Sequence, residues 1–187
     1  HKLYSDSKTD IEVFHETDET FNTFVYKSKS KKYLIIGSSS TLSSEYRFLD
    51  ADVPDGRFKI FQERTKKLEY SIAHYNGSFY IISNKDDATN FKISKTSEKT
   101  TGKENWQDVI PHRASVLIED IEIFKDYLVV NEREHGLNKL RIISWNKKED
   151  YYLPFNSETY TTYIGNNPDF ESDMLRYGYN SLTSPSS

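Results

Sequence analysis

The clearest pattern in the chain is a pair of apolar stretches joined by a strong turn signal. Residues 68–84 are LEYSIAHYNGSFYIISN, with Asn76 and Gly77 between the two stretches. Asn and Gly both tolerate the positive φ angles that a two-residue type I′ turn needs. The pattern therefore predicts a β-hairpin with its turn at Asn76-Gly77.

Similar apolar runs recur along the chain at a nearly constant spacing. They begin at positions 33, 79, 127 and 174, so the successive steps are 46, 48 and 47 residues. The runs are Tyr33–Ile36, Phe79–Ile82, Tyr127–Val130 and Met174–Tyr177. β-branched and aromatic residues in frequent period-2 alternation favour a repeated β unit over a helical or leucine-rich repeat.

Each of the first three runs is followed by two further β-rich segments, each after a polar turn. The segments that come next are Glu45–Leu49, Phe91–Ser94 and Lys139–Ile143, and the segments after them are Phe58–Phe61, Trp106–Ile110 and Tyr151–Leu153. With a leading strand such as Val116–Phe124, the unit has four strands in about 45 residues, which is the size of one propeller blade. The sequence predicts an all-β fold that is part of a β-propeller.

The predicted blades fill residues 1–187 as a fragment of one propeller domain. Three are complete, at about 21–63, 68–112 and 116–155, and two are partial, at 1–16 and 160–187. The predicted strands of the partial blades are Lys2–Tyr4, Ile11–Phe14, Tyr160–Ile164 and Leu175–Tyr179. Incomplete sheets expose unpaired backbone groups at their edges, so we expect self-association through the open blade edges.

Composition and charge support a folded β protein and exclude two kinds of partner. The 35% apolar content is low, but 14 Tyr, 11 Phe and 2 Trp suit pleated surfaces with one wet face. A net charge of -4, with 25 basic residues spread among 29 acidic ones, gives no basic stripe. We therefore expect no nucleic-acid partner and no membrane partner.

The sequence leaves the cellular compartment open. We expect no membrane-spanning segment and no amino-terminal signal, because no apolar run has the required length or flanking charges. The absence of cysteine rules out disulfides and thiolate metal sites. A soluble bacterial protein of either the cytoplasm or the periplasm fits this composition.

No segment of the sequence contains a convincing catalytic motif. The seven glycines never bracket a serine as Gly-x-Ser-x-Gly, the pattern of a nucleophile elbow. Glu132 and His135 have the Glu-x-x-His spacing of helical di-metal sites, but they follow an apolar strand, so we favour a solvated strand end. Asn76-Gly77-Ser78 matches a glycosylation sequon that the turn already explains. We predict no catalytic residue, no metal ligand and no cofactor in this chain.

The histidines and lysine runs carry no functional claim from the sequence alone. His15, His74 and His112 lie beside ordinary strand ends, and a chance triad could be composed with many of the serines and aspartates. The lysine runs at Lys27–Lys32 and Lys66-Lys67 precede strands. We predict solvated turns at both places.

Several segments resemble the propeller of the prolyl oligopeptidase family, in particular its oligopeptidase B (protease II) branch. The segments are Leu68–Tyr75, Phe79–Asn84, Tyr127–Arg133 with Gly136-Leu137, and Leu175–Pro185. The last is the most specific, because it places Arg-Tyr-Gly-Tyr before a Ser/Thr-rich tract and a proline. The resemblance covers nearly the whole chain.

The resemblance implies a serine peptidase built from two domains. One would be an α/β-hydrolase domain with a Ser-Asp-His triad, and the other a seven-bladed propeller that gates the access of short peptides. The chain would be part of the propeller, inactive alone, with the catalytic domain of its parent and peptide substrates as partners. The oligopeptidase B likeness implies a preference for basic residues before the cleaved bond. The alternative is a non-catalytic propeller-like module that binds a protein or ligand, although such a module should close its own ring.

Overall fold

The computed structural model describes residues 10–183, which contain fourteen strands in four antiparallel sheets. Three sheets have four strands and one has two, and the strand order in each follows the chain. The helical segments of these residues are two short 3₁₀ turns, Lys85–Asp87 and Lys103–Asn105. No helix among them is long and apolar enough to cross a membrane. The prediction of an all-β propeller fold is confirmed.

The strand bounds agree closely with the repeated pattern in the sequence. Sheet 1 contains β1 (Asn22–Lys27), β2 (Tyr33–Ser39), β3 (Ser44–Asp50) and β4 (Lys59–Gln62). Sheet 2 contains β5 (Tyr70–Tyr75), β6 (Ser78–Ser83), β7 (Lys92–Ser97) and β8 (Gln107–Ile110). Sheet 3 contains β9 (Val116–Ile123), β10 (Tyr127–Glu134), β11 (Leu137–Ser144) and β12 (Asp150–Tyr152). Sheet 4 contains β13 (Tyr160–Ile164) and β14 (Tyr177–Ser181).

The predicted hairpin turn forms at Asn76-Gly77. The strands β5 and β6 pair up to Tyr75 opposite Ser78, so the loop has two residues. The φ angles are +43° at Asn76 and +73° at Gly77, the left-handed conformation that a type I′ turn requires at both positions. Local turn chemistry therefore fixes the register of this hairpin.

The sheets stack in chain order because their strands are apolar on both faces. Successive side chains of a strand point to opposite faces. In β6, Phe79 and Ile81 pack in the cluster between sheets 1 and 2, whereas Tyr80 and Ile82 pack in the cluster between sheets 2 and 3. A third cluster joins sheet 3 to residues around sheet 4. The consecutive apolar positions noted in the sequence mark strands that are buried on both faces.

Aromatic rings fill the interface between sheets 1 and 2. Phe79 is fully buried, and its ring centroid lies 5.0 Å from that of Phe61, 5.2 Å from that of Tyr33 and 5.3 Å from that of Phe48. Such ring pairs stabilise a core beyond the area that they bury. Phe79 is the centre of this interface.

The predicted strand at Ile11–Phe14 is wrong. This segment has no strand pairing with the described residues, and Ile11 is 85% exposed. Side chains hold it on sheet 1 instead: the Phe14 ring lies 4.6 Å from the Arg47 guanidinium, and Glu16 accepts a 2.6 Å hydrogen bond from Arg64. That bond lowers the pKa of Glu16 to about 2. The predicted strand at Lys2–Tyr4 lies outside the described residues.

The last predicted strand begins later than the pattern indicates. The strand β14 starts at Tyr177, so the run Met174–Tyr177 contributes only its final residue, and the predicted strand Leu175–Tyr179 loses its first two. The reason is the Asn167 side chain, whose Nδ2 donates to the Arg176 carbonyl at 2.9 Å and whose Oδ1 accepts from the Arg176 N–H at 2.7 Å. The side chain thus occupies the N–H of Arg176, whereas the carbonyl of Arg176 also accepts from the Gly165 N–H at 2.9 Å.

Replacing Phe79 by Ala should destabilise the chain by about 3–5 kcal/mol, since it removes a buried ring and leaves a cavity between two sheets. Urea denaturation followed by circular dichroism measures this loss. The control is Val25→Ala, because Val25 is 70% exposed and its loss should change stability by about 0.5 kcal/mol or less. Similar losses in the two variants would contradict the packing described here.

Candidate functional site at the β1–β2 loop

The loop between β1 and β2, residues 28–32, reaches over the first strands of the neighbouring sheets. A cavity of about 330 Å³ lies beneath it. Its walls include Tyr26 from β1, Ile72 from β5, Ile121 from β9 and Asn167 from the β13–β14 connection. All four sheets or their connections therefore meet at this cavity.

The loop is bound to sheet 2 by a polar network. Ser30 Oγ lies 2.8 Å from His74 Nδ1, and Lys32 Nζ donates to Glu98 at 2.7 Å. Glu98 Oε2 also accepts from the Tyr33 hydroxyl at 3.0 Å and lies 3.3 Å from His74 Nε2. The network links sheet 1 to sheet 2 through one carboxylate.

Burial and charge pairing set the protonation states in this network. The hydrogen bond from Lys32 is the largest cause that lowers the pKa of Glu98, so Glu98 stays ionised. Burial lowers the pKa of His74 and outweighs the opposing effect of Glu98. The imidazole is therefore held in its neutral form, with one nitrogen as donor and the other as acceptor.

Ser30, His74 and Glu98 have the composition of a serine-hydrolase triad without its geometry. In a catalytic triad the serine bonds Nε2 and the acid bonds Nδ1, which is the reverse of this arrangement. The His74 ring is packed between the rings of Tyr33, at 4.9 Å, and Phe79, at 5.1 Å. With the base enclosed in this way, the group connects sheets and has no access to a substrate carbonyl.

Lys29 extends beyond sheet 2 and binds sheet 3. Its Nζ donates to Glu122 Oε1 at 2.7 Å and lies 3.6 Å from the centroid of the Phe124 ring. Burial raises the pKa of Glu122, and the hydrogen bond from Lys29 opposes that shift. The prediction of a solvated turn at Lys27–Lys32 is wrong for Lys29 and Lys32, because both form ion pairs with other sheets. Lys66 and Lys67 are exposed in a turn, as predicted.

The other residues that the sequence singled out lie apart from this loop. Glu132 is fully buried and binds Arg113 and the Tyr152 hydroxyl, so the prediction of a solvated strand end is wrong for it. His135 is exposed in the β10–β11 turn. Within residues 10–183 there is no group of three or more His, Asp or Glu side chains arranged to hold a metal.

His15 and His112 have separate surroundings. His15 Nδ1 lies 3.6 Å from Glu12, and both side chains are exposed. His112 is half-buried, and its Nε2 has no hydrogen-bond partner within the described part of the chain. Neither histidine joins the network at the β1–β2 loop.

The comparisons with known proteins agree on one family. Residues 1–187 match the family described as prolyl oligopeptidase, N-terminal beta-propeller domain. Dipeptidyl aminopeptidase BI of Pseudoxanthomonas mexicana is 34% identical over 185 residues, which cover 99% of this chain and 25% of that protein. Protease 2 of Moraxella lacunata is 26% identical over 186 residues, which cover 99% of this chain and 26% of that protein. The chain thus spans about a quarter of the length of these relatives.

A solved structure shows the same fold. Oligopeptidase B from Trypanosoma brucei, in a closed form with covalently bound antipain, superimposes with a TM-score of 0.92 at 23% sequence identity. The superposition covers 100% of this chain and 28% of that one. The four sheets therefore have the arrangement of propeller blades in a larger protein.

The neutral state of His74 predicts a pH dependence of stability. Burial lowers the pKa of His74 in the folded chain. Below about pH 6.5, the ordinary pKa of histidine, the unfolded chain therefore binds more protons than the folded one. The free energy of unfolding should fall as the pH is lowered through that value. Urea denaturation at about pH 7.5 and about pH 5.5 measures the change.

The variant that tests this assignment is His74→Asn, which should reduce the loss of stability between the two pH values. The matched control is His135→Asn, which removes an exposed imidazole from a turn that Asn also favours. If both variants lose stability by the same amount between the two pH values, His74 is not the group responsible.

Proposed function

This chain belongs to the prolyl oligopeptidase family, and on that premise we propose that it is the propeller part of a serine peptidase that cleaves short peptides. The observation that carries the proposal is the match of the complete chain to the family's N-terminal propeller domain. The names of the relatives support it, since they denote an aminopeptidase, a protease and an oligopeptidase. The Trypanosoma brucei protein binds antipain covalently.

The partner that we propose is a catalytic domain of the same parent protein. The relatives are about four times as long as the matched segment, which leaves ample chain for such a domain. The nucleophilic serine, its general base and the oxyanion donors would lie there. The buried position of His74 supports this division, because it makes the Ser30–His74–Glu98 group unfit for catalysis.

The role that we propose for the propeller is to limit which peptides reach the active site. Selection by size needs walls that hold their spacing, because a deformable opening would admit folded proteins. Three features tie the sheets of this chain to one another: the aromatic packing between sheets 1 and 2, the Glu98 network, and the Lys29–Glu122 ion pair. A closed cavity around the reacting groups also keeps water and competing substrates away.

The first test uses the complete parent protein and the isolated 187-residue chain. The parent should hydrolyse a dibasic fluorogenic peptide and should be labelled by a fluorophosphonate at one serine outside residues 1–187. The isolated chain should do neither, although circular dichroism should show that it is folded. Mass spectrometry of the labelled parent identifies the modified serine.

Two results would overturn this assignment. Labelling of the isolated chain that is lost in the Ser30→Ala variant would place the nucleophile within the propeller. A parent protein that is folded but neither reacts nor cleaves peptides would favour a module that only binds a protein or ligand. The second result would leave the fold assignment unchanged.

A further inference from the structure

The Lys29–Glu122 ion pair joins two sheets that are not neighbours in the stack. The two residues are 93 positions apart, and sheet 2 lies between their sheets. The apolar clusters join sheet 1 to sheet 2 and sheet 2 to sheet 3. Lys29 adds a direct contact from sheet 1 to sheet 3, made beside the cavity.

The surroundings of this ion pair make the loss of one partner more costly than it would be in an ordinary surface pair. The side chains of Lys29 and Glu122 are only 16% and 22% exposed. The Phe124 ring, 3.6 Å from Nζ, adds a cation–π contact, and Phe124 itself is buried in the cluster between sheets 3 and 4. Exposed ion pairs contribute little to stability, whereas removal of one partner from a buried pair leaves an uncompensated charge.

The rest of the loop holds Lys29 in place. Ser28 Oγ accepts the Tyr33 N–H at 2.9 Å, which closes the loop at its base. Ser30 is bonded to His74 and Lys32 to Glu98, so the positions on both sides of Lys29 are tied to their own or the neighbouring sheet. A loop fixed in this way reduces the entropy lost when a long side chain takes up a single geometry.

The contact lies at the cavity that the four sheets or their connections share. Lys29 and Glu122 both line the 330 Å³ cavity, together with Ile72 and His74 of sheet 2. Asp120 precedes Glu122 by two positions on β9, and its charge disfavours an ionised Glu122. Without Lys29, Glu122 would keep the unfavourable charge of Asp120 beside it and lose the cation that is hydrogen-bonded to it.

We propose that Lys29 is a latch that holds sheets 1 and 3 together across sheet 2. The latch thereby sets the distance between β1 and β9, the first strands of these sheets, and so the width of the opening between them at the cavity. The latch is closed when Nζ binds Glu122 and the Phe124 ring, and it opens when either charge is lost. That the opening admits peptides rests on the proposed function. The latch itself is a property of this chain and can be tested on it directly.

The test measures the distance between sheets 1 and 3 in the 187-residue chain. Since the protein has no cysteine, Lys59→Cys on β4 and Lys148→Cys on the β11–β12 loop give two unique, exposed sites for spin labels. Pulsed electron–electron double resonance should give a narrow distance distribution when the labelled 187-residue chain keeps Lys29 and Glu122. The variants Lys29→Met and Glu122→Gln should broaden it and move it to longer distances.

Two matched variants separate the latch from a general effect on the loop. Lys31→Met removes an exposed lysine of the same loop and should leave the distribution unchanged. The double variant Lys29→Glu/Glu122→Lys restores opposite charges and should recover much of the narrow distribution. Unchanged distances in Lys29→Met and Glu122→Gln, or equal broadening in Lys31→Met, would overturn the proposal.

A second measurement decides the question if the labelled variants are too unstable for distance work. A double-mutant cycle over Lys29→Met and Glu122→Gln should show a coupling of about fivefold or more in the equilibrium constant for unfolding. Strictly additive effects would refute the latch. In the parent enzyme, the same variants should cleave longer peptides than the natural sequence does. Failure of that assay alone would refute the proposed role of the propeller in size selection and leave both the latch and the peptidase assignment standing.

Discussion

The structure depends on the burial of both faces of each sheet by its neighbours. A four-stranded sheet that is apolar on both faces would expose the large side chains of both faces if it stood alone. In β6 the residues Phe79 and Ile81 need sheet 1, whereas Tyr80 and Ile82 need sheet 3. The stack of sheets is therefore the unit of stability, and each interface contributes hydrophobic free energy that no single sheet could supply.

The polar contacts at the β1–β2 loop restrict how the sheets of this apolar stack are oriented relative to one another. Hydrophobic contacts fix which sheets pack together, but they tolerate small changes of angle. Glu98 and Glu122 receive lysines from sheet 1 at 2.7 Å each, and such charge-assisted bonds are more demanding in distance and direction. Of these two ion pairs, Lys29–Glu122 lies directly at the cavity that the four sheets share.

Local features of the fold could be predicted from the sequence, and non-local ones could not. The turn at Asn76-Gly77 and the runs of β2, β6 and β10 follow from neighbouring residues. The segment Ile11–Phe14 has the same alternation but no strand to pair with among the described residues, which alternation cannot reveal. Likewise, the late start of β14 follows from the side chain of Asn167, nine residues before Arg176.

The contacts at the candidate site could not be predicted from the sequence either, because they too are non-local. Lysines in a polar turn usually face solvent, and Lys29 differs only because Glu122 is brought to it from 93 residues away. Glu132 also looked like a strand-end acid, yet Arg113 and Tyr152 enclose it in the folded chain. A regular spacing of strands predicts which sheets form, but it does not predict which charged side chains meet between them.

The central claim is that neighbouring sheets stabilise one another and unfold together. Native-state hydrogen exchange tests it most directly, because it gives a free energy of opening for each backbone amide. The amides of β2, β6 and β10 should share one free energy of opening, equal to that for unfolding of the whole stack. Opening of β6 at a clearly lower free energy, with β2 and β10 still protected, would show that the sheets are independent and would contradict this account.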